Sequence, residues 1–351
     1  MKKVAYVIIL WLTALFIVAG CSRDAKEDSE KEVLVNLNIS VALSDVAQGE
    51  SRSVTDDAKA ENDDEKMQTL RVIVVRENGI VEDNRFIRLN QATELYKDVS
   101  FKVVSKEQKQ IYLFVNEETA IKIGHETSNE LLKLTNYLSE IKQGDEFPTT
   151  EISQLTVQLD ANDEQLNGAL PMSECHLVKV PEKDHECKLF VTRAAVKFSF
   201  RITNKGENTS QLTGLTINEV ARKEYYLPHN AKYEDEVIEG KTYRAITEYE
   251  VPANPGYYTH EQKYNTSLPV NKEVSLAPIY LLEGKFEGKY SVSVTINGAK
   301  LEGELNNLPR NLPRNTHVVV NITLNDNDNI ITCEVDVRPY SEKELKPGFG
   351  L

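Results

Sequence analysis

From residue 33 to residue 43 the chain alternates without a break. Val33, Val35, Leu37, Ile39, Val41 and Leu43 fall on one side, and Leu34, Asn36, Asn38, Ser40 and Ala42 on the other. A period of two predicts a β-strand with one buried face. Apolar, β-branched runs predict further strands at residues 70–75, 99–104, 110–115 and 155–159, with Glu77-Asn78-Gly79 as a hairpin turn leading into Ile80-Val81. One stretch changes period: Leu131, Leu134, Leu138 and Ile141 recur at helical spacing, and Thr127 with Glu130 forms a capping box, so a helix is expected over about 128–142. Strand patterns return at 189–192, 195–202, 212–220, 241–251, 290–296, 317–324 and 330–337, separated by Asn-, Gly- and Pro-containing turns. Short strands at this spacing predict a mainly β protein of β-sandwich type. The length fits two sandwiches in tandem, at 33–180 and 181–351, with a short helix in the first.

The first strand matters energetically. Burying an aliphatic side chain contributes about 1.5–3 kcal/mol, so its six apolar residues amount to on the order of 10 kcal/mol. A whole domain is stable by only about 5–15 kcal/mol. Removing the strand would leave an apolar groove between unpaired backbone groups, which would seek another strand of the same alternation.

What precedes the strand gives it an address. Lys2 and Lys3 lead an apolar run over 4–19 that ends in small residues, the pattern of a secretory signal at 1–20. Val18-Ala19-Gly20-Cys21 resembles the bacterial lipoprotein box, which implies lipid on Cys21. Residues 21–32 are too polar to pack and read as a flexible tether. On the other side of the strand, residues 44–53 form a polar loop carrying Arg52, with no apolar neighbour to bury it.

The formal charge of −14, with no basic stretch anywhere, argues against a nucleic-acid partner. Catalytic signatures are missing as well. His125-Glu126 has no second histidine four residues on, and Gly240-Lys241-Thr242 lacks the earlier glycine of a phosphate loop because residue 235 is aspartate. No Gly-x-Ser-x-Gly elbow occurs, and residues 325–329 (NDNDN) lack the glycine and terminal glutamate of a calcium loop. A protein without enzymatic activity, cofactor or metal is expected. Cys175 and Cys187 flank a turn-like segment, so a disulfide, two free thiols or a Cys/His site with His176 and His185 are all open. Cys333 reads as a small core residue.

The order of several short motifs is familiar. The lipoprotein box, the alternating strand followed by an arginine, residues 70–75 with Asn78-Gly79, and residues 111–116 ending in Asn116 come first. Leu170-Pro171-Met172-Ser173, Arg193-Ala194-Ala195-Val196-Lys197, Tyr280-Leu281-Leu282-Glu283 and Arg314-Asn315-Thr316-His317 follow. Together they resemble the FimA/Mfa-like fimbrillins that build type V pili. The resemblance implies two tandem transthyretin-like β-sandwiches, exported as an outer-membrane lipoprotein and cut by an arginine-specific protease after the first strand. In this sequence the cut would fall between Arg52 and Ser53. Release of residues 33–43 would open a groove for a strand of another fimbrial subunit, giving a cell-surface fimbria that supports adhesion and biofilm formation. Ile331, Cys333, Val335 and Val337 alternate and are either the last strand of the second sandwich or a strand donated to a neighbour. A shaft or accessory subunit, a tip subunit and an anchor all remain open. A different class of reading is a monomeric surface-anchored glycan binder, with Tyr225-Tyr226 and Tyr257-Tyr258 as stacking aromatics.

Overall fold

The computed structural model describes residues 32–43, 62–89, 96–119, 121–126, 131–238, 241–285, 290–304, 311–325 and 332–339. The chain is mainly β. Its first half comprises β1 (Leu34–Leu43), β2 (Thr69–Val75), β3 (Val81–Arg88), β4 (Tyr96–Val104), β5 (Gln108–Val115), β6 (Lys122–His125), β7 (Leu131–Leu132), β8 (Leu155–Gln158), β9 (Met172–Lys179) and β10 (His185–Arg193). Then come β11 (Val196–Asn204), β12 (Ser210–Val220), β13 (Lys223–Tyr225), β14 (His229–Ile238), β15 (Lys241–Glu250), β16 (Tyr258–Leu268) and β17 (Glu273–Ser275). The chain closes with β18 (Ile279–Leu281), β19 (Gly284–Lys285), β20 (Ser291–Ile296), β21 (Ala299–Glu304), β22 (Asn311–Leu312), β23 (Thr316–Leu324) and β24 (Thr332–Pro339).

The first layer system follows one path, β3-β2-β5-β9-β10-β1-β4. It folds into a sandwich because β9 and β10 pair only at Thr192 with Ser173 and Arg193 with Met172, then diverge. One face is β3-β2-β5-β9 and the other β10-β1-β4. Two further sheets, β17-β11-β23-β24 with β18 also on β11, and β16-β12-β20-β21, form most of the second half, while β13 joins β8, β6 and β7 of the first, and β19 pairs with β22. β14 and β15 form a two-stranded arm of their own. The alternation of β23 (burial BiBiBiBiB) shows a strand with one face in the core, as its sequence predicts.

A single apolar cluster runs through both halves, from Val35 and Leu37 through Phe114 and Leu170 to Phe198, Val292 and Val320. β10 belongs to the first sheet although it lies wholly beyond residue 180, so the expected division at 180/181 falls inside the β9–β10 connection. Backbone pairing decides this, because β10 takes β1 as its parallel neighbour over seven consecutive pairs from Leu37–His185 to Leu43–Val191.

The helix is shorter than its apolar spacing predicts. α1 spans Leu134–Glu140, with Lys133 as a cap that makes no side-chain bond. Thr127 and Glu130 lie outside the described residues. Leu131, expected on the helix, instead pairs with Gly124 in a strand and is exposed, because β6 offers it an open edge. A second helical turn, α2 (Thr149–Ser153), buries Ile152 and had no periodic signal long enough to announce it.

Candidate functional site

β1 is the middle strand of the β10-β1-β4 face. It runs parallel to β10 and antiparallel to β4, in register from Leu34–Val104 to Ala42–Tyr96. Val35, Leu37, Ile39, Val41 and Leu43 are at most 6% exposed, so the alternation points them into the core as expected. Val33 is a correction: it precedes the strand and is 41% exposed, since β4 and its turn cover the face only from Val35 onward.

Polar contacts also hold the strand. At its start, the Val33 carbonyl accepts from Ser105 N at 2.8 Å, and Arg76 Nη2 pairs with Glu32 at 2.8 Å. Asp184, in the β9–β10 turn, accepts from both Asn36 N and Asn36 Nδ2 at 2.9 Å, which continues the ladder beyond the end of β10 and holds the Asp184 carboxyl below its ordinary range. On the outward face Ser40 Oγ donates to Asp98 of β4 at 2.5 Å. These contacts lie in water and add little to stability beside the apolar face.

Cys21, Arg52 and Ser53 lie outside the described residues. The described strand before Arg52 and the described turn after it both contact β10. Leu43 pairs with Val191, and two residues further along β10 the Arg193 guanidinium donates through Nε to the carbonyl of Glu65 at 3.1 Å.

The turn at Asp63–Glu65 is held by several of the motif residues. Asn62 caps the turn at Asp63–Glu65 through Oδ1, and its Nδ2 reaches Tyr280 Oη at 3.2 Å. Glu65 is fully buried; its carboxylate pairs with Lys197 Nζ at 2.9 Å and accepts from Tyr280 Oη at 2.5 Å. Asn116 has φ 59°, a left-handed turn that asparagine tolerates, and its side chain bonds Lys66 O, Leu170 O and Gln68 N. Arg314 stands beside this group in a second buried cluster, with Glu283 at 2.8 Å and Glu224 at 3.7 Å, donating also to the carbonyls of Tyr225 and Tyr226. Burial pushes the Glu224 carboxyl up, against the attraction of Arg314. The motifs are therefore structural: they satisfy buried charge where the two halves meet. Glu65, Glu224 and Asp184 carried no sequence signal, because isolated acids in polar stretches look like surface.

Among the described residues Cys175 and Cys187 are free thiols, one of the three alternatives that the sequence left open. The two strands that carry them have separated: Cys175 pairs with Tyr112 on β5, and Cys187 with Ile39 on β1. No group of three or more metal-binding side chains occurs among the described residues. Three of the four candidate stacking aromatics, Tyr225, Tyr226 and Tyr258, are buried and offer no platform to a sugar.

β24 is the outermost strand of its sheet, paired only to β23, with Cys333, Val335 and Val337 opposite Ile322, Val320 and Val318. Val335 packs against the core. Ile331 lies outside the described residues.

β1 thus lies inside a three-stranded face, and β24 at the edge of its sheet among the described residues. Residues 37–187 match the family of the major fimbrial subunit protein (FimA). The resemblance to fimbrillins is borne out on this FimA-like segment, which begins inside β1 and ends inside β10. The fold is shared more widely. A candidate cell adhesion protein of Parabacteroides distasonis superposes with TM-score 0.54 at 14% identity, over 86% of this chain and 96% of that one. The tip fimbrial protein Mfa3 of Porphyromonas gingivalis, with a C-terminal truncation, superposes with TM-score 0.51 at 11% identity, over 87% and 99%. No curated protein matches the chain.

Proposed function

We propose that this protein is a structural subunit of a cell-surface fimbria, without enzymatic activity, assembled by strand exchange. It is exported as an outer-membrane lipoprotein through Cys21 and cut between Arg52 and Ser53 by an arginine-specific protease. It then loses β1 and accepts a strand from another fimbrial subunit, in a fimbria that serves adhesion and biofilm formation.

The observation that carries the reading is the position of β1. It is the strand nearest the tether, yet it lies in the middle of a three-stranded face, with both backbone edges and five apolar side chains engaged. Its loss leaves a slot with two unpaired walls, β4 and β10, and a strand of the same alternation restores every bond. β24 is the candidate strand that this chain would give in return, since an outermost strand detaches with the loss of one ladder only. The working division of the chain is then a first sandwich that ends with β10 at Arg193 and a second that begins with β11.

The test is treatment of the lipidated protein with an arginine-specific protease. The expected product begins at Ser53 and forms ladders of oligomers on electrophoresis without boiling. Arg52→Ala should leave the protein monomeric and β1 attached; oligomers forming undiminished from that variant, with no other cut between 44 and 61, would refute the mechanism.

A further inference from the structure

A slot that loses its central strand has a competing fate. β4 and β10 are each antiparallel and parallel neighbours of β1, so they run antiparallel to one another. With β1 gone they lie two strand spacings apart, about 10 Å, and an approach of about 4.8 Å would let them pair directly. That pairing would satisfy both edges and abolish the site.

The structure assigns a set of positioning residues that hold these walls apart from behind, a role that rests on the strand-exchange reading above. On β4, two backbone groups that face away from β1 are taken by side chains of β3. Arg85 Nη1 donates to Ser100 O at 2.8 Å, and Val104 N donates to Glu82 Oε1 at 2.5 Å. Arg85 also covers the ring of Phe101, with its guanidinium carbon 4.4 Å from the centroid. Glu82 is itself fixed by the fully buried Lys109, which Glu107 shares. On β10, the carbonyl of Phe190 also faces away from β1 and accepts from His176 Nε2 of β9 at 2.7 Å. The His176 ring meets the Phe190 ring edge-on at 4.8 Å, and Tyr233 of the β14–β15 arm meets it at 5.0 Å. None of these bonds involves a β1 residue. They bridge the two sides of the sandwich, one without a backbone ladder between β3 and β4 and the other with only the two β9–β10 pairs at Ser173–Thr192 and Met172–Arg193, and they survive the departure of β1 intact.

Arg85 and His176 are thus positioning residues for strand uptake. Neither is a contact of the incoming strand. In the uncleaved protein β1 itself keeps the walls apart, so the ties matter little there; after cleavage they oppose closure together with the two β9–β10 pairs.

The experiment uses the full-length protein, its Arg85→Ala/His176→Ala variant, and an Arg85→Lys/His176→Gln variant that keeps a donor at each place. Each is cleaved with the arginine-specific protease, freed of β1, and mixed with a fluorescent peptide of residues 33–43. Before cleavage the thermal midpoint of the alanine variant should lie within about 3 °C of the parent. After cleavage its peptide uptake should be about tenfold slower or more, a loss of roughly 1.4 kcal/mol in the open slot, with uptake largely restored in the Lys/Gln variant. Unchanged uptake by the alanine variant would overturn the assignment, as would an uncleaved midpoint that falls in proportion to uptake, the mark of a purely structural role. Failure of the unsubstituted protein to take up peptide would instead strike the strand-exchange reading itself, and is recognised by its independence of these substitutions.

Discussion

Glu174 is a residue whose chemistry its surroundings displace. It lies in β9 with its carboxylate accepting from Tyr233 Oη at 2.5 Å, and burial pushes it up to about 7 despite that bond. The folded state therefore holds a proton that the unfolded chain releases near pH 4.5. The native state binds more protons than the unfolded one between these values, so this group's contribution favours folding below about pH 4.5 and is lost as pH rises to about 7. Glu174→Gln should remove that slope and raise stability at pH 8 by a few kcal/mol or less, as followed by urea denaturation across pH 4–8. The apolar face of β1 gives a second prediction at this scale. Leu37 is fully buried between Phe101 and the facing sheet, so Leu37→Ala should cost about 2–5 kcal/mol in the uncleaved protein, measured by the same denaturation.

At the scale of elements, β1 has two faces with unequal demands. Val41 is fully buried, whereas Asn38 faces outward between Ser100 and Glu186. Val41→Asp should prevent stable folding of the precursor, because an unpaired carboxylate would enter the core. Asn38→Asp, one face away, should change the thermal midpoint by only a few degrees. A midpoint equally depressed by both would mean that β1 does not keep its register. Most of the pattern of this strand was legible in the sequence, since a period of two names Val35, Leu37, Ile39, Val41 and Leu43 directly; Val33 before the strand is exposed and Ala42 on the other side is buried. The helix was less so: Leu131 fits its spacing, but the open edge of β6 offered backbone bonds that a few tenths of a kcal/mol of helix preference could not match.

For the molecule as a whole, the buried charges and the continuous core tie the two sandwiches into one unit. Arg314 is 1% exposed and pairs with Glu283 at 2.8 Å, with Glu224 further off at 3.7 Å; without it, two buried acids would be left with no cation between them. Arg314→Ala should destabilise the protein by about 3–5 kcal/mol. Because one apolar cluster spans both halves, calorimetry should show a single transition moved to lower temperature. Two separate transitions in the parent protein would contradict this coupling.

The sequence by itself determined the mainly β class, the alternating first strand and the order of motifs that pointed to fimbrillins. Each of these is local: a period, a spacing, a run of residue types. Only the tertiary structure decided that β1 lies between β4 and β10, that β10 stays with the first sheet, that Cys175 and Cys187 face different neighbours, and that the motif residues share one buried ionic region. These depend on pairings between residues more than a hundred positions apart, such as Glu65 with Lys197 and Leu37 with His185. Strand pairing is set by which edges remain open after all the others have closed, and no single stretch of sequence carries that information.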